Sequence, residues 1–195
     1  MHSRRRSTIT IFLVLLAFAS TAFGQTLPKK ILGYKVYKAD ITVGSKPTAD
    51  TVGQDASVLI SPPSIVDLGW SGVTVEINGS LSAIQQSGSV DFITFRDFTI
   101  NGVPVDVQEY CHSFAFKRGV STSLPKPAQA LIRTSSLAKA AFKEIIGTKD
   151  EWAISGTALV FGRFNKYGMS FKRVVPVNVR LTIPNPVKST LSQIN

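Results

Sequence analysis

Phe98-Thr99-Ile100-Asn101-Gly102-Val103-Pro104-Val105 is the stretch that decides the fold. Asn-Gly tolerates the two positive φ angles of a type I′ turn, whose twist suits a β-hairpin. A two-residue loop sets Ile100 opposite Val103 and Phe98 opposite Val105. Both pairs are apolar, while Pro104 and Asp106 fall on the other face, so register and pattern agree. Upstream, Ile93 and Phe95 share one phase of the strand, and Phe98 and Ile100 the other. One residue near Arg96-Asp97 must shift the phase, which predicts a β-bulge.

Other segments carry the same strand signature. Val73, Val75, Ile77, Leu81 and Ala83 sit in one phase, with Thr74, Glu76 and Asn78 in the other, as in a half-buried strand. Gly33 to Val43, Ser57 to Ser61, Gln129 to Arg133, Trp152 to Phe161 and Val174 to Ile183 are further candidate strands. Pro62-Pro63 stops a ladder, because proline brings no N–H. Residues 46–54 read as a loop. A turn is expected between Phe161 and Tyr167, around Gly162 and Asn165. Ser135 or Ser136 can cap a helix in which Leu137, Ala141 and Ile145 stack at spacing four, and Gly147 ends it. The tail, residues 184–195, has two prolines and small polar residues and reads as loose. Seven or so short strands with turns between them imply a β-sandwich or a small barrel.

The chain has 195 residues, the size of one domain, and a net charge of +10. With 44% hydrophobic and 17% charged residues it belongs to the folding class and not the disordered one. Residues 1–24 have the layout of a cleaved leader. Arg4, Arg5 and Arg6 form a basic region, Ile11 to Ala19 an apolar run, and Ala22-Phe23-Gly24 a small-residue cleavage site before Gln25. The expected address is the bacterial periplasm or the cell exterior. Losing Arg4, Arg5 and Arg6 still leaves the remainder clearly basic. Cys111 then has no intrachain partner in an oxidising compartment; it is either buried and inert, which is the commoner state of a free thiol, or available for an intermolecular bridge.

Residue types restrict the chemistry. His112 is the histidine that remains after the leader, so any triad must use it. If Cys111-His112 lies in a strand, the two side chains point to opposite faces and cannot meet. One cysteine and one histidine do not make a transition-metal site. No P-loop and no dinucleotide fingerprint is present. The expectation is a protein that is not an enzyme and takes no cofactor and no metal. A carboxylate-based hydrolase, whose two acids can lie far apart in sequence, is the weakest alternative. Arg163, Lys166, Lys172 and Arg173 interleave with Phe161, Phe164, Tyr167 and Phe171. The expected arrangement is a hairpin with its aromatics toward the core and its cations in water. Those four cations are the candidate site for an anionic surface, with attraction screened by salt. Nucleic acid is not an expected partner, given export. An envelope surface, a lipid or a protein partner is.

Residues 73–183 resemble the late embryogenesis abundant type 2 family, also called the water-stress and hypersensitive-response domain. The likeness rests on Val73-Thr74-Val75-Glu76-Ile77-Asn78, on Val90 to Ile93 with the Phe98–Val105 turn, and on Trp152-Ala153-Ile154-Ser155-Gly156-Thr157-Ala158. The helix before Trp152 fits the family's order. Gly79 stands where the family usually has proline after asparagine. The resemblance implies a mainly β, immunoglobulin or fibronectin type III-like β-sandwich with one short α-helix. It also implies a non-catalytic role in envelope or desiccation stress, by surface or partner binding. A lipid- or glycan-binding module is the alternative. Residues 25–72 would be an N-terminal extension or extra strands.

Overall fold

The computed structural model describes residues 27–39, 41–45, 56–69, 72–133 and 149–186. The leader at 1–24, the loop at 46–54, the helix expected at 135–147 and most of the tail lie outside the described residues. The chain is mainly β and forms several sheets. In order, the strands are β1 (Lys30–Ile31), β2 (Tyr34–Val36), β3 (Ile41–Gly44), β4 (Ala56–Ile60), β5 (Ser64–Gly69), β6 (Gly72–Ile77), β7 (Gly79–Leu81) and β8 (Ser87–Ile100). Then come β9 (Val103–Pro104), β10 (Asp106–Val107), β11 (Phe114–Phe116), β12 (Thr122–Ser123), β13 (Ala128–Arg133), β14 (Glu151–Lys166) and β15 (Met169–Pro184).

The large sheet has the order β1-β2-β15-β14-β8-β11, with β9 on β8. Two small sheets have the orders β10-β13-β6-β5 and β12-β7-β4-β3. They are continuations of each other around prolines. Ile60 pairs with Gly79 in one and Ser64 with Glu76 in the other, with Pro62 and Pro63 between. The Ser61 N–H still donates to the Asn78 carbonyl at 2.9 Å, so the ribbon bends without falling apart. The third strand breaks the same way at Pro125 and Pro127, between β12 and β13. A residue without an N–H ends a ladder, and the chain uses that to turn one ribbon into two sheets.

One face of the large sheet packs on both small ones. Trp152, Ile183 and Ile100 meet Val73, Val75, Ala130 and Ile132, and Trp152 is 1% exposed. Further along, Val175, Val177 and Val179 meet Ile41, Val43, Phe95 and Phe98. The other face is apolar only where Leu159, Phe161 and Val174 are covered by Ile31, Tyr34 and Val36. Past that cover it carries Ser155, Thr157, Asn178 and Arg180.

The Asn101-Gly102 turn forms as read. Ile100 pairs with Val103, the Val105 N–H donates to the Phe98 carbonyl at 2.9 Å, and φ is 51° at Asn101 and 81° at Gly102. The bulge also forms. The ladder to β14 steps from Thr99↔Ser155 to Arg96↔Thr157, which leaves one extra residue on β8, and Asp97 takes φ 54°. That step brings Phe95, Phe98 and Ile100 to one face. Gly156 lies opposite, and a Cβ there would sit 2.5 Å from the Phe98 ring.

Four expectations need correction. Gly33 to Val43 is not one strand: β2 runs parallel to β15 in the large sheet, and β3 pairs with β4 in a small one. The turn expected around Gly162 and Asn165 is absent, because both stay in the β14–β15 ladder, opposite Arg173 and Ser170. The chain reverses at Tyr167-Gly168. The start of the tail is anchored: Asn185 is 2% exposed, its N–H donates to the Asp150 carbonyl at 2.8 Å, and its Nδ2 donates to the Lys149 carbonyl at 2.9 Å. Cys111 is exposed and not buried, in a segment outside any strand.

Candidate functional site

The four basic residues singled out in the sequence come together at one end of the large sheet. Arg163 and Lys172 are Cα partners across β14 and β15, and Arg173 lies opposite Gly162 one step away. Lys166 pairs with Met169 at the closing rung. Opposed residues share a face and successive residues alternate. Arg163 and Lys172 therefore share the face of Phe161 and Val174, while Lys166 and Arg173 project from the other.

The sequence reading missed a second set of cations. In the parallel pairing of β2 with β15, Lys35 is the partner of Arg173, and Lys30 is the partner of Lys35. A row Lys30–Lys35–Arg173 thus crosses three strands. The signal was present in Lys29-Lys30 and Lys35, but only the parallel register places them beside the hairpin. Parallel neighbours far apart in sequence leave no local trace.

Asp91 is the carboxylate that stands among these cations within the described residues, and a bulge puts it there. The β8–β14 ladder runs from Phe92↔Phe161 to Val90↔Gly162, so Asp91 is the extra residue. The shift sends Val90, 4% exposed, into the core and leaves Asp91 on the Tyr34 side. Gly162 permits the approach, since a Cβ on it would lie 2.3 Å from the Ser89 carbonyl oxygen. The Tyr34 hydroxyl donates to Asp91 Oδ2 at 2.8 Å, and Arg163 Nε stands 4.0 Å from the same oxygen. That hydrogen bond, then burial and the Asp91 charge, hold the Tyr34 phenol above its ordinary value, with Arg163 pulling the other way. The Tyr34 ring meets Phe161 edge-on at 5.2 Å, and Phe161 stacks on Phe92 at 4.4 Å. This aromatic base orders the strand that supplies Lys35.

The remaining cations lie along aromatic surfaces. Lys172 Nζ is 5.8 Å from the Tyr34 ring centre, the Arg173 guanidinium 5.1 Å from Phe171, and Lys166 Nζ 5.3 Å from Tyr167. Arg173 also donates to the Lys172 carbonyl at 3.0 Å. The expected division of aromatics inward and cations outward holds for Phe161, which is buried; Phe164 and Phe171 are only half-buried, on the face they share with Lys166 and Arg173, and Arg173 is itself half-buried. The division fails for Tyr167, which is 87% exposed.

Two hollows lie elsewhere. One, of about 640 Å³, opens over Thr99, Asn101, Ser155, Arg180 and Thr182 on the polar face of the large sheet. The other, of about 300 Å³, is lined by Glu76, Glu109, Tyr110, His112, Lys126 and Gln129. In it the Glu76 carboxylate accepts from Gln129 Nε2 at 3.1 Å, and His112 meets the Tyr110 ring edge-on at 5.4 Å. Among the described residues no three His, Cys, Asp or Glu side chains gather as metal ligands, and no helix is long and apolar enough to cross a membrane.

No family model and no curated protein matches the chain. Two solved structures resemble it distantly. A protein from Archaeoglobus fulgidus shares 13% identity at a TM-score of 0.36, over 65% of this chain and 95% of its own. A late embryogenesis abundant (LEA) protein shares 9% identity at a TM-score of 0.30, over 70% of this chain and 77% of its own.

Proposed function

We propose that the protein is an exported, non-catalytic β-sandwich of the late embryogenesis abundant type 2 kind. It docks on polyanionic envelope surfaces through the basic end of its large sheet and serves in envelope or desiccation stress. The family reading is supported by the order of its sequence motifs, and export by the leader-like residues 1–24. The observation that carries the docking reading is the convergence of Lys30, Lys35, Arg163, Lys166, Lys172 and Arg173 on one end, around the single carboxylate Asp91 among the described residues. Cations gathered this way, with Asp91 near Arg163 as the one carboxylate among them in the described residues, repel one another and gain by meeting fixed negative charge. A Lys or Arg near an anionic lipid surface contributes about 1 kcal/mol, and the attraction fades beyond a Debye length of about 8 Å at physiological salt.

The test is retention of the protein lacking residues 1–24 on anionic vesicles, neutral vesicles and acidic cell-wall polymer, across a salt series. Retention on the anionic surfaces at low salt, declining steeply as salt rises, is the expected result. Equal retention on neutral and anionic surfaces, or none on any, refutes the reading.

A further inference from the structure

The basic end carries exposed apolar side chains that electrostatics does not explain. Tyr167 is 87%, Leu32 72% and Met169 57% exposed. All three lie at one end of the molecule. β2 runs parallel to β15 with Lys35 beside Arg173, so the Leu32-Gly33 turn that opens β2 and the Tyr167-Gly168 turn that opens β15 face the same way. Both are two-residue loops with two positive φ angles, 49° and 81° at Leu32-Gly33 and 53° and 76° at Tyr167-Gly168. Asn or Asp is the usual first residue of such a loop, and a bulky side chain there is strained. The chain thus holds a leucine and a tyrosine at turn tips where an asparagine would be easier and more soluble. Strain of this kind is retained where the side chain has work outside the fold.

We propose that this end is a membrane-docking tip. Tyr167, Met169 and Leu32 enter the headgroup and upper acyl region of an anionic bilayer, and the cations behind them meet the lipid phosphates. The proposal rests on the anionic-surface reading and narrows the surface to lipid. Its chemistry is that of interfacial anchors: an aromatic ring with a polar hydroxyl, flexible apolar chains, and a collar of lysine and arginine. Lys166, whose ammonium lies over the Tyr167 ring, is placed to stay at the phosphate level while the ring goes deeper. A soluble polyanion would use the collar and have no use for the apolar tip.

The test compares the wild type with the variant Leu32→Asn/Tyr167→Asn/Met169→Gln, which puts favoured residues into both turns and so keeps the fold. Retention is measured on vesicles of phosphatidylglycerol and phosphatidylcholine and on immobilised polyphosphate. The expected result is a loss on the order of tenfold or more on vesicles, with retention on polyphosphate unchanged. In parallel, Tyr167→Trp should add to the emission of Trp70 and Trp152 a component that shifts to the blue only on those vesicles and is quenched by brominated lipid, a lipid-dependent change that the wild type lacks. Equal vesicle retention by variant and wild type, or a Tyr167→Trp emission that ignores the lipid, overturns the tip and leaves the anionic-surface reading standing. Loss on both surfaces alike also overturns it. A wild type that sediments as a dimer while the variant is a monomer assigns the tip to self-association instead. Failure of the wild type to bind either surface at low salt removes the anionic-surface reading itself.

Discussion

Asp91 shows how one misplaced carboxylate is turned to use. Strict alternation would leave Val90 outside and turn Asp91 inward, and the extra residue in the ladder reverses both. A buried, unpaired carboxylate is costly, so the bulge serves the core as much as the surface. Its consequence is a protonated Tyr34 bound to Asp91. Tyr34 is raised in the folded state, so its contribution to stability is fully present below the unfolded tyrosine value near 10 and is lost as pH climbs through the folded one. Asp91→Asn should therefore move the Tyr34 phenolate absorbance down toward the ordinary tyrosine range, read as the difference from Tyr34→Phe. An unchanged titration would place the cause elsewhere. Gly162 is the bulge's other half. Gly162→Ala forces a Cβ against the Ser89 carbonyl and should lower stability by about 1–3 kcal/mol in urea unfolding. A cost near zero would mean that the strands separate there freely.

At the scale of elements, the β14–β15 hairpin organises the rest: sixteen rungs carry it from Glu151↔Pro184 to Lys166↔Met169. Its turn is held by Tyr167 at positive φ, so Tyr167→Asn should stabilise the protein by up to about 1 kcal/mol in chemical denaturation. Destabilisation would show that the ring braces the hairpin and is not spare for docking. The far end is fastened by Asn185. Asn185→Ala removes the buried bond to the Lys149 carbonyl and should cost about 1–3 kcal/mol in urea unfolding. These elements also mark what a sequence reveals. Asn101-Gly102 was legible because both residue types suit the angles the turn needs. Tyr167-Gly168 was not, because tyrosine is no turn former, and Gly162 and Asn165 looked like better punctuation. There the ladder outweighed local preference: a long hairpin whose neighbours pair on both sides tolerates a glycine and an asparagine in its interior. The break at Pro62-Pro63 was legible as an interruption, yet not as the bend of one ribbon into two sheets, and the matching break at Pro125 and Pro127 was not read at all. The cations on β14 and β15 were legible as a group because a hairpin keeps neighbours close in sequence. Lys30 and Lys35 were not, because a parallel register brings them in from the far end of the chain.

Across the whole molecule, positive charge gathers at one end, and the exposed side chains of Leu32, Tyr167 and Met169 stand there with it. β8, β11 and β15 all begin or end there, and Lys117 and Arg118 leave β11 beside the hairpin, since Phe116 pairs with Gly88 and Gly88 with Phe164. Asp97, Asp106, Asp150 and Glu151 stand toward the opposite end. A net charge of +10 alone would give weak attraction to any polyanion from every side. An arranged end predicts attraction that depends on where the charge is. The decisive measurement compares two variants of equal net charge on anionic vesicles at low salt. Lys166→Gln/Lys172→Gln/Arg173→Gln removes three cations from the basic end, and Arg96→Gln/Lys126→Gln/Arg180→Gln removes three from elsewhere. The first should bind on the order of a hundredfold more weakly than the wild type, at about 1 kcal/mol for each lost cation. The second should bind within a few-fold of it. Equal losses in the two variants would contradict an oriented docking end and leave only nonspecific attraction to a basic protein.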